Sequence, residues 1–295
     1  MAQEKQKQDY GDRKIYKSTG AAGEYAEYSY NPFKGCDHGC KYCYVPKIMR
    51  KNDYIHSDVY VKDKEELIKM TKKAVKGYEY SKTPVFMSFT TDPYQQSTRG
   101  MMRPILQVFL DNHIPVMLLT KGPSLMLEDM DIIKQFGPNI QVGCSLTFIS
   151  NDQSKIWEPN GDLPKVRFDV LKQFHDAGVK TWASMEPVID PAASLAIMEL
   201  VHEYVDVFKV GKVNHAKSIE QKVNWTEFLN LAVFTLNKNG NEYYIKDDLY
   251  AYANEDTLKM LLPKHRNRLH SLIKSTWNDP FEGLFDDKKT QQKLF

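Results

Sequence analysis

Asn31-Pro32-Phe33-Lys34-Gly35-Cys36-Asp37-His38-Gly39-Cys40-Lys41-Tyr42-Cys43-Tyr44-Val45-Pro46 is the stretch on which the reading of this chain turns. It spaces three cysteines as C-x₃-C-x₂-C, and the chain has one other cysteine, Cys144. A disulfide scaffold uses cysteines more densely and spreads them out, so this cluster reads as a metal site in a reducing compartment. Thiolates are the usual ligands of iron–sulfur clusters. Three of them can hold three corners of a cubane and leave its fourth iron open to an outside ligand. Gly35 and Gly39 allow the backbone to wrap tightly there. Structural zinc is the alternative, with His38 or a distant residue completing a closed tetrahedral site. On thiol spacing alone the two stand on comparable footing. Three features favour iron–sulfur: there is no second cysteine pair, Tyr42 directly precedes the third cysteine, and the loop follows the first strand of a strand–helix series.

Working outward, residues 26–30 read as that first strand, ended by Asn31-Pro32. Residues 44–62 form a long connection without clear periodicity. Asp63 is placed to cap a helix whose residues Leu67, Ile68, Thr71, Ala74, Val75 and Tyr78 share one face. Strands are expected at 85–89, 115–119, 140–146, 179–184, 206–210 and 242–245. Helices fall between them at 104–111, 124–136, 162–177, 192–204 and 225–239, several closed by Gly or opened by Pro. Six βα units in series imply a parallel sheet, because each crossover helix returns the chain to the same end. A doubly wound sheet and an open barrel both satisfy that order. Residues 1–20 are expected to be a flexible N-terminal tail, 21–246 the core domain and 247–295 a C-terminal helical extension, with a basic helix at 264–274.

Composition sets the outer bounds. The chain has 295 residues, 42% of them hydrophobic, enough for a sizeable core, and a formal net charge of +2. That charge argues against a strongly electrostatic nucleic-acid binder without excluding a local basic groove. No apolar run is long enough for a transmembrane helix and the start lacks the apolar stretch of a signal peptide. A cytoplasmic location without a membrane partner is therefore expected.

C-x₃-C-x-aromatic-C after a first strand resembles the signature of the radical S-adenosylmethionine (SAM) superfamily. The resemblance implies an α/β fold, a partial (β/α)₆ TIM-like barrel. It implies a 4Fe–4S cluster on Cys36, Cys40 and Cys43, whose open iron chelates SAM. One electron then cleaves SAM to a 5′-deoxyadenosyl radical that abstracts hydrogen from a substrate. Its implied partners are SAM and a one-electron donor such as a flavodoxin or ferredoxin. The segment from Ser88 to Gln95, containing Thr91-Asp92-Pro93-Tyr94-Gln95, is similar to the TDPYQ motif of the spore photoproduct lyase-like group, also called DNA-repair-photolyase-like. Leu119–Lys121, Ser145–Thr147, and Glu158-Pro159 followed by Arg167 also resemble that group, over roughly residues 24–215.

By that resemblance Tyr42 packs near the adenine, and Thr90 and Asp92 approach the SAM amino group, where a carboxylate accepts ammonium hydrogen bonds. Lys121 pairs with the SAM carboxylate. Ser145 and Thr147 lie by the ribose, and Glu186-Pro187 lies beside the adenine. All follow strand C-termini, where barrel sites gather. Spore photoproduct lyases carry a cysteine just before the matching Thr-Asp segment as hydrogen donor, and this chain has Phe89 there. Cys144 and Tyr94 are the candidate radical relays in its place, although a lone cysteine in an apolar strand is more often a small buried hydrophobe. Three functions are thus expected in order: a radical SAM enzyme on an unidentified substrate, nucleic-acid lesion repair or modification, and a non-catalytic zinc or iron–sulfur module.

Overall fold

A computed structural model describes residues 13–48, 59–78, 83–214 and 216–261. Its eight strands form one sheet in chain order: β1 Tyr16–Lys17, β2 Tyr28–Ser29, β3 Val85–Met87, β4 Val116–Thr120, β5 Ile140–Ser145, β6 Lys180–Val188, β7 Val207–Lys212 and β8 Glu242–Ile245. Only β1 runs antiparallel; every later pair is parallel. The strands alternate with helices α1 Val45–Ile48, α2 Lys64–Lys76, α3 Met102–Asp111, α4 Pro123–Met126, α5 Met130–Gln135, α6 Asn151–Trp157, α7 Pro164–Asp176, α8 Pro191–Val201, α9 Lys217–Glu220, α10 Trp225–Lys238, α11 Asp247–Tyr250 and α12 Glu255–Met260. The architecture is the expected α/β partial barrel.

Alternation along the strands separates two faces. Val85, Met87, Val116, Leu118, Ile140 and Val142 join α2, α3 and α5 in one apolar cluster. Cys144, Ala183, Met185, Phe208, Val210 and Tyr243 join α7, α8 and α10 in a second. The opposite, concave face is sparser. Phe86, Met117, Trp182 and Val207 pack there with Tyr25 and Ala26. The Trp182 indole donates to the Leu118 carbonyl at 3.0 Å. A Cβ at Gly143 would fall inside that indole, so glycine is what admits it. This plug fills the part of the concave face nearer the strand N-termini and leaves the polar residues at the C-terminal ends.

Local sequence explains the element ends. Asp63 accepts from Glu66 N at 2.9 Å, as its capping position requires. Asp190 caps α8 through Ala192 N and Ala193 N. Four differences from the sequence expectation have physical causes. Tyr16–Lys17, inside the stretch read as a tail, is a strand because it pairs with Tyr28–Ser29. The helix expected over 124–136 is broken at Leu127–Asp129, where Asp129 turns inward to accept the Tyr94 hydroxyl at 3.0 Å. β6 runs on through Pro187 because the ladder with β7 is irregular between Met185 and Val188, where a missing N–H is tolerated. Helix α6, capped by Ser150, was not expected. The basic helix expected at 264–274 lies outside the described residues.

Candidate functional site

The cysteine loop leaves β2 and is clamped by three segments at the C-terminal ends of β3, β4 and β5. The first is the Thr91–Gln95 turn. Gln95 is fully buried; its Oε1 accepts from Asp37 N at 2.7 Å and its Nε2 donates to Thr91 Oγ1 at 3.0 Å. Thr91 Oγ1 donates to the Gly35 carbonyl at 2.5 Å. The second is Lys121-Gly122, where Gly122 lies against His38, a Cβ there falling 3.2 Å from its Nε2, and Lys121 N donates to Asp92 Oδ2 at 3.0 Å. The third is 157–161: Lys41 N donates to the Trp157 carbonyl at 2.9 Å and Asn160 Nδ2 to the Asp37 carbonyl at 2.6 Å. Gly39 has φ +68°, a conformation that favours glycine, and a Cβ there would lie 3.2 Å from Pro159.

Behind the third segment sits a buried ion pair. Arg167, from α7, meets Glu158 at 2.6 Å, and both are nearly inaccessible to solvent. Arg167 also donates to the Ser145 carbonyl at 2.9 Å and the Asp162 carbonyl at 2.8 Å. Burial pushes the Glu158 carboxyl upward, against the opposing pull of Arg167. Tyr42 donates its phenol to Glu158, and its ring stacks on Trp157 at 6.4 Å. The aromatic of the cysteine motif is thus tied to the β5–α7 connection.

The three thiols differ in surroundings. Cys40 is buried, and Cys36 and Cys43 are half-buried. Burial raises all three above the ordinary thiol range; Cys40 is pushed up to about 12. Asp92 adds to the rise at Cys36, and Lys121 opposes the rise at each of the three. Buried thiols of this kind ionise when a metal takes the proton's place.

The sequence-derived residues fall into distinct roles. Lys121 Nζ lies 3.3 Å from Ser145 Oγ and 5.7 Å from the Tyr42 ring centre, with no carboxylate paired to it among the described residues. Thr147 Oγ1 and Ser88 Oγ are buried without a hydrogen-bond partner among the described residues. Thr90 is half-buried and its N–H donates to Asn31 Oδ1 at 3.1 Å. Asp92 is differently employed from the expectation: Oδ1 takes Tyr94 N at 2.9 Å and Thr120 Oγ1 at 2.6 Å, so its carboxylate is committed to the turn. Glu186 is held by Lys246 at 2.7 Å and by the Tyr25 hydroxyl at 2.6 Å.

The two proposed relays are not brought to the site. Cys144 is fully buried on the helix-facing side of β5, among Leu146, Phe168 and Leu171. The parity of the strand turns it away from the concave face. Tyr94 also faces away, into the cluster with Met102 and Ile105, where burial and the neighbouring Asp129 raise its phenol well above the ordinary value. Both placements correct the relay reading.

A second polar network, not anticipated from sequence, lies across the concave face at β6–β8. Lys209 is buried and donates to the Tyr25 carbonyl at 2.9 Å. Burial, with Lys246 nearby, lowers its ammonium to about 7. Glu24 accepts from Asp247 N at 2.7 Å and from the Tyr244 hydroxyl at 3.1 Å. Gly211 leaves room for Lys246 and Glu186 to meet above it. The network ties residues 24–25 to β7 and β8. A lysine within the apolar run Val207–Val210 was the available signal.

The sequence profile of the radical SAM superfamily matches residues 30–203, more than half of the chain, and the chain belongs to that superfamily. An uncharacterized protein of Methanocaldococcus jannaschii is 31% identical over 167 residues, 56% of this chain and 61% of that protein. An uncharacterized protein of Acidianus two-tailed virus is 27% identical over 169 residues, 53% of this chain and 54% of its own length. The chain therefore spans less than two thirds of these curated relatives. Among solved structures, spore photoproduct lyase complexed with dinucleoside spore photoproduct aligns with a TM-score of 0.55 at 13% identity, covering 79% of this chain and 78% of that one. Streptococcus suis SuiB bound to the precursor peptide SuiA aligns with a TM-score of 0.57 at 12% identity, covering 87% and 66%. At such identities the likeness is one of fold.

The superfamily's cofactors are a 4Fe–4S cluster and SAM, and the residues present fit both. The cysteine loop carries its three thiols, one buried and two half-buried, on a backbone held from both sides, and thiolates are the usual ligands of such a cluster. For SAM, the Lys121 ammonium beside Ser145 and the Ser88 and Thr147 hydroxyls, without a hydrogen-bond partner among the described residues, are polar groups able to take a charged and hydroxylated ligand.

Proposed function

We propose that this chain is an enzyme that cleaves SAM reductively and abstracts hydrogen from a substrate at the C-terminal mouth of its barrel. The observation that carries the reading is the convergence there of the thiol loop, the Lys121 ammonium and the Thr147 and Ser88 hydroxyls, which have no hydrogen-bond partner among the described residues. When bound, the reduced cluster supplies the electron that splits SAM into methionine and a 5′-deoxyadenosyl radical. In this reading Cys36, Cys40 and Cys43 hold the cluster, and Lys121 takes the SAM carboxylate as a charge-assisted hydrogen bond. Ser145 and Thr147 offer hydroxyls to the ribose. Asp92 orients the Lys121 backbone rather than the amino group. Tyr42, fixed by Glu158, gives the adenine side an apolar wall, and the Glu186-Pro187 backbone lies on the same side. A flavodoxin or ferredoxin supplies the electron.

The likeness to the TDPYQ motif supports a place near the spore photoproduct lyase-like group, with nucleic-acid modification as the second reading. Phe89 speaks against photoproduct repair itself: its ring stacks on Phe86 at 4.3 Å and offers no transferable hydrogen. Anaerobic reconstitution followed by dithionite and SAM should yield 5′-deoxyadenosine, and Cys40→Ala should abolish it. A full cluster that yields none in the wild-type chain counts against the reading. Nucleic-acid modification further requires salt-dependent binding to DNA or RNA, and its absence at low salt removes that second reading.

A further inference from the structure

We propose that His38 is a positioning residue of the redox centre: its Nδ1–H donates to the Cys36 sulfur and raises the reduction potential of the cluster that Cys36 helps to hold. The inference deepens the reading above and rests on it. His38 is 2% exposed, and its Nδ1 lies 3.5 Å from Cys36 Sγ and 3.5 Å from Asp92 Oδ2. A ring nitrogen that faces a carboxylate and a sulfur together is held as a donor, since a lone pair there would meet two electron-rich atoms. The same geometry removes Nδ1 as a metal ligand, which would need that lone pair.

The ring is fixed on its other sides as well. The His38 carbonyl accepts from Asn160 N at 3.2 Å. A Cβ at Gly122 would strike the Tyr94 carbonyl and lie 3.2 Å from His38 Nε2, so glycine leaves room for the imidazole. Asp92 is held by Tyr94 N, Thr120 Oγ1 and Lys121 N, and so presents a fixed acceptor that keeps the proton on Nδ1. The TDPYQ-like turn therefore reaches the cluster's electronics through His38.

An N–H···S bond draws negative charge from a cluster thiolate and favours the reduced state, which carries one more electron. The backbone N–H of His38 also reaches the Cys36 sulfur, and that of Val45 reaches the Cys43 sulfur. Among the described residues, a side-chain donor is given to Cys36 alone of the three.

The test is an EPR-monitored redox titration of the full chain, anaerobically reconstituted and free of SAM. His38→Leu should weaken the reduction equilibrium about tenfold, a negative shift of about 59 mV for a one-electron couple. His38→Asn, whose amide N–H lies near the place of Nδ1, should retain most of the wild-type potential. A Leu variant with full cluster iron at the wild-type potential overturns the proposal. So does an Asn variant shifted as far as the Leu variant, which would mark a packing effect. Should the Leu variant fail to take up iron, pulsed EPR of the reduced wild-type chain, labelled with histidine carrying ¹⁵N in the imidazole ring only, decides: a ¹⁵N coupling upholds the hydrogen bond and its absence overturns it. A wild-type chain that assembles no 4Fe–4S cluster overturns the cluster reading and this inference together. A cluster whose potential ignores His38 overturns this inference alone.

Discussion

Replacing Arg167 by Met tests how the β5–α7 connection is held over the cysteine loop. The substitution keeps an unbranched side chain of fair length but strands the Glu158 carboxylate, which is 1% exposed and has its charged partner at 2.6 Å. Removing one member of a buried pair costs about 3–5 kcal/mol, because the remaining charge is uncompensated. The Ser145 and Asp162 carbonyls lose their donors too, at about 1–3 kcal/mol for each acceptor left buried, partly overlapping with the first term. A net loss of about 4 kcal/mol is expected. For domains of 150–250 residues each kcal/mol moves Tm by about 2–4 °C, so the fall should be about 8–16 °C. Urea unfolding of the metal-free chain with reductant present measures it, an unchanged slope confirming that stability alone has moved. The double variant Glu158→Met with Arg167→Met separates the pair from ordinary packing. It buries no lone charge, and should be at least about 1 kcal/mol more stable than Arg167→Met alone. A single variant that loses less than about 1 kcal/mol refutes the reasoning. So does a double variant that loses the sum of the two singles.

Three further outcomes are expected. Lys209 has a folded value of about 7 against its ordinary 10.5, so between those values the unfolded chain binds the proton and the folded chain does not. Stability should therefore rise with pH across that window, and relative to Lys209→Met the wild type should gain about 2–3 kcal/mol over two pH units; equal pH slopes in urea midpoints would contradict it. Lys121→Met should leave cluster iron intact and weaken SAM binding about 10- to 100-fold, the worth of one charge-assisted contact; a dissociation constant within about twofold of wild type removes Lys121 from the SAM site. Cys144→Ala should leave the yield of 5′-deoxyadenosine per cluster unchanged, and a lost yield at full iron content would return the thiol to the mechanism.

What sequence could reveal here follows from how local each signal is. The parallel βα series is carried by apolar runs and by caps such as Asp63 and Asp190, which act within a few residues and so remain legible. The cysteine loop is local in the same sense. Which face a strand residue occupies is not local. Cys144 and Ser145 are neighbours in sequence, yet one packs under α7 and the other turns toward Lys121. Tyr94 was drawn toward the site by its motif, but Asp129, 35 residues away, fixes its hydroxyl in the core. The internal bonds of Asp92 were illegible for a similar reason: its donors Thr120 and Lys121, at the end of the next strand, lie 28 and 29 residues away.

The buried polar groups then gain an order that no single motif has. Charged and hydroxyl side chains are costly on a strand face unless paired. On the concave face they form two sets divided by position. At β3–β5 the fixed members, Asp92, Gln95 and Glu158 with Arg167, hold backbone and leave Lys121, Ser88 and Thr147 with unmet bonding capacity. At β6–β8 the network of Lys209, Lys246, Glu186 and Glu24 turns largely on the chain itself, tying residues 24–25 to the last strands. One half of the mouth is thus built to receive polar partners and the other to hold its own wall. That asymmetry supports the proposed place of SAM over β3–β5, with Glu186 held in the wall by Lys246 and the Tyr25 hydroxyl.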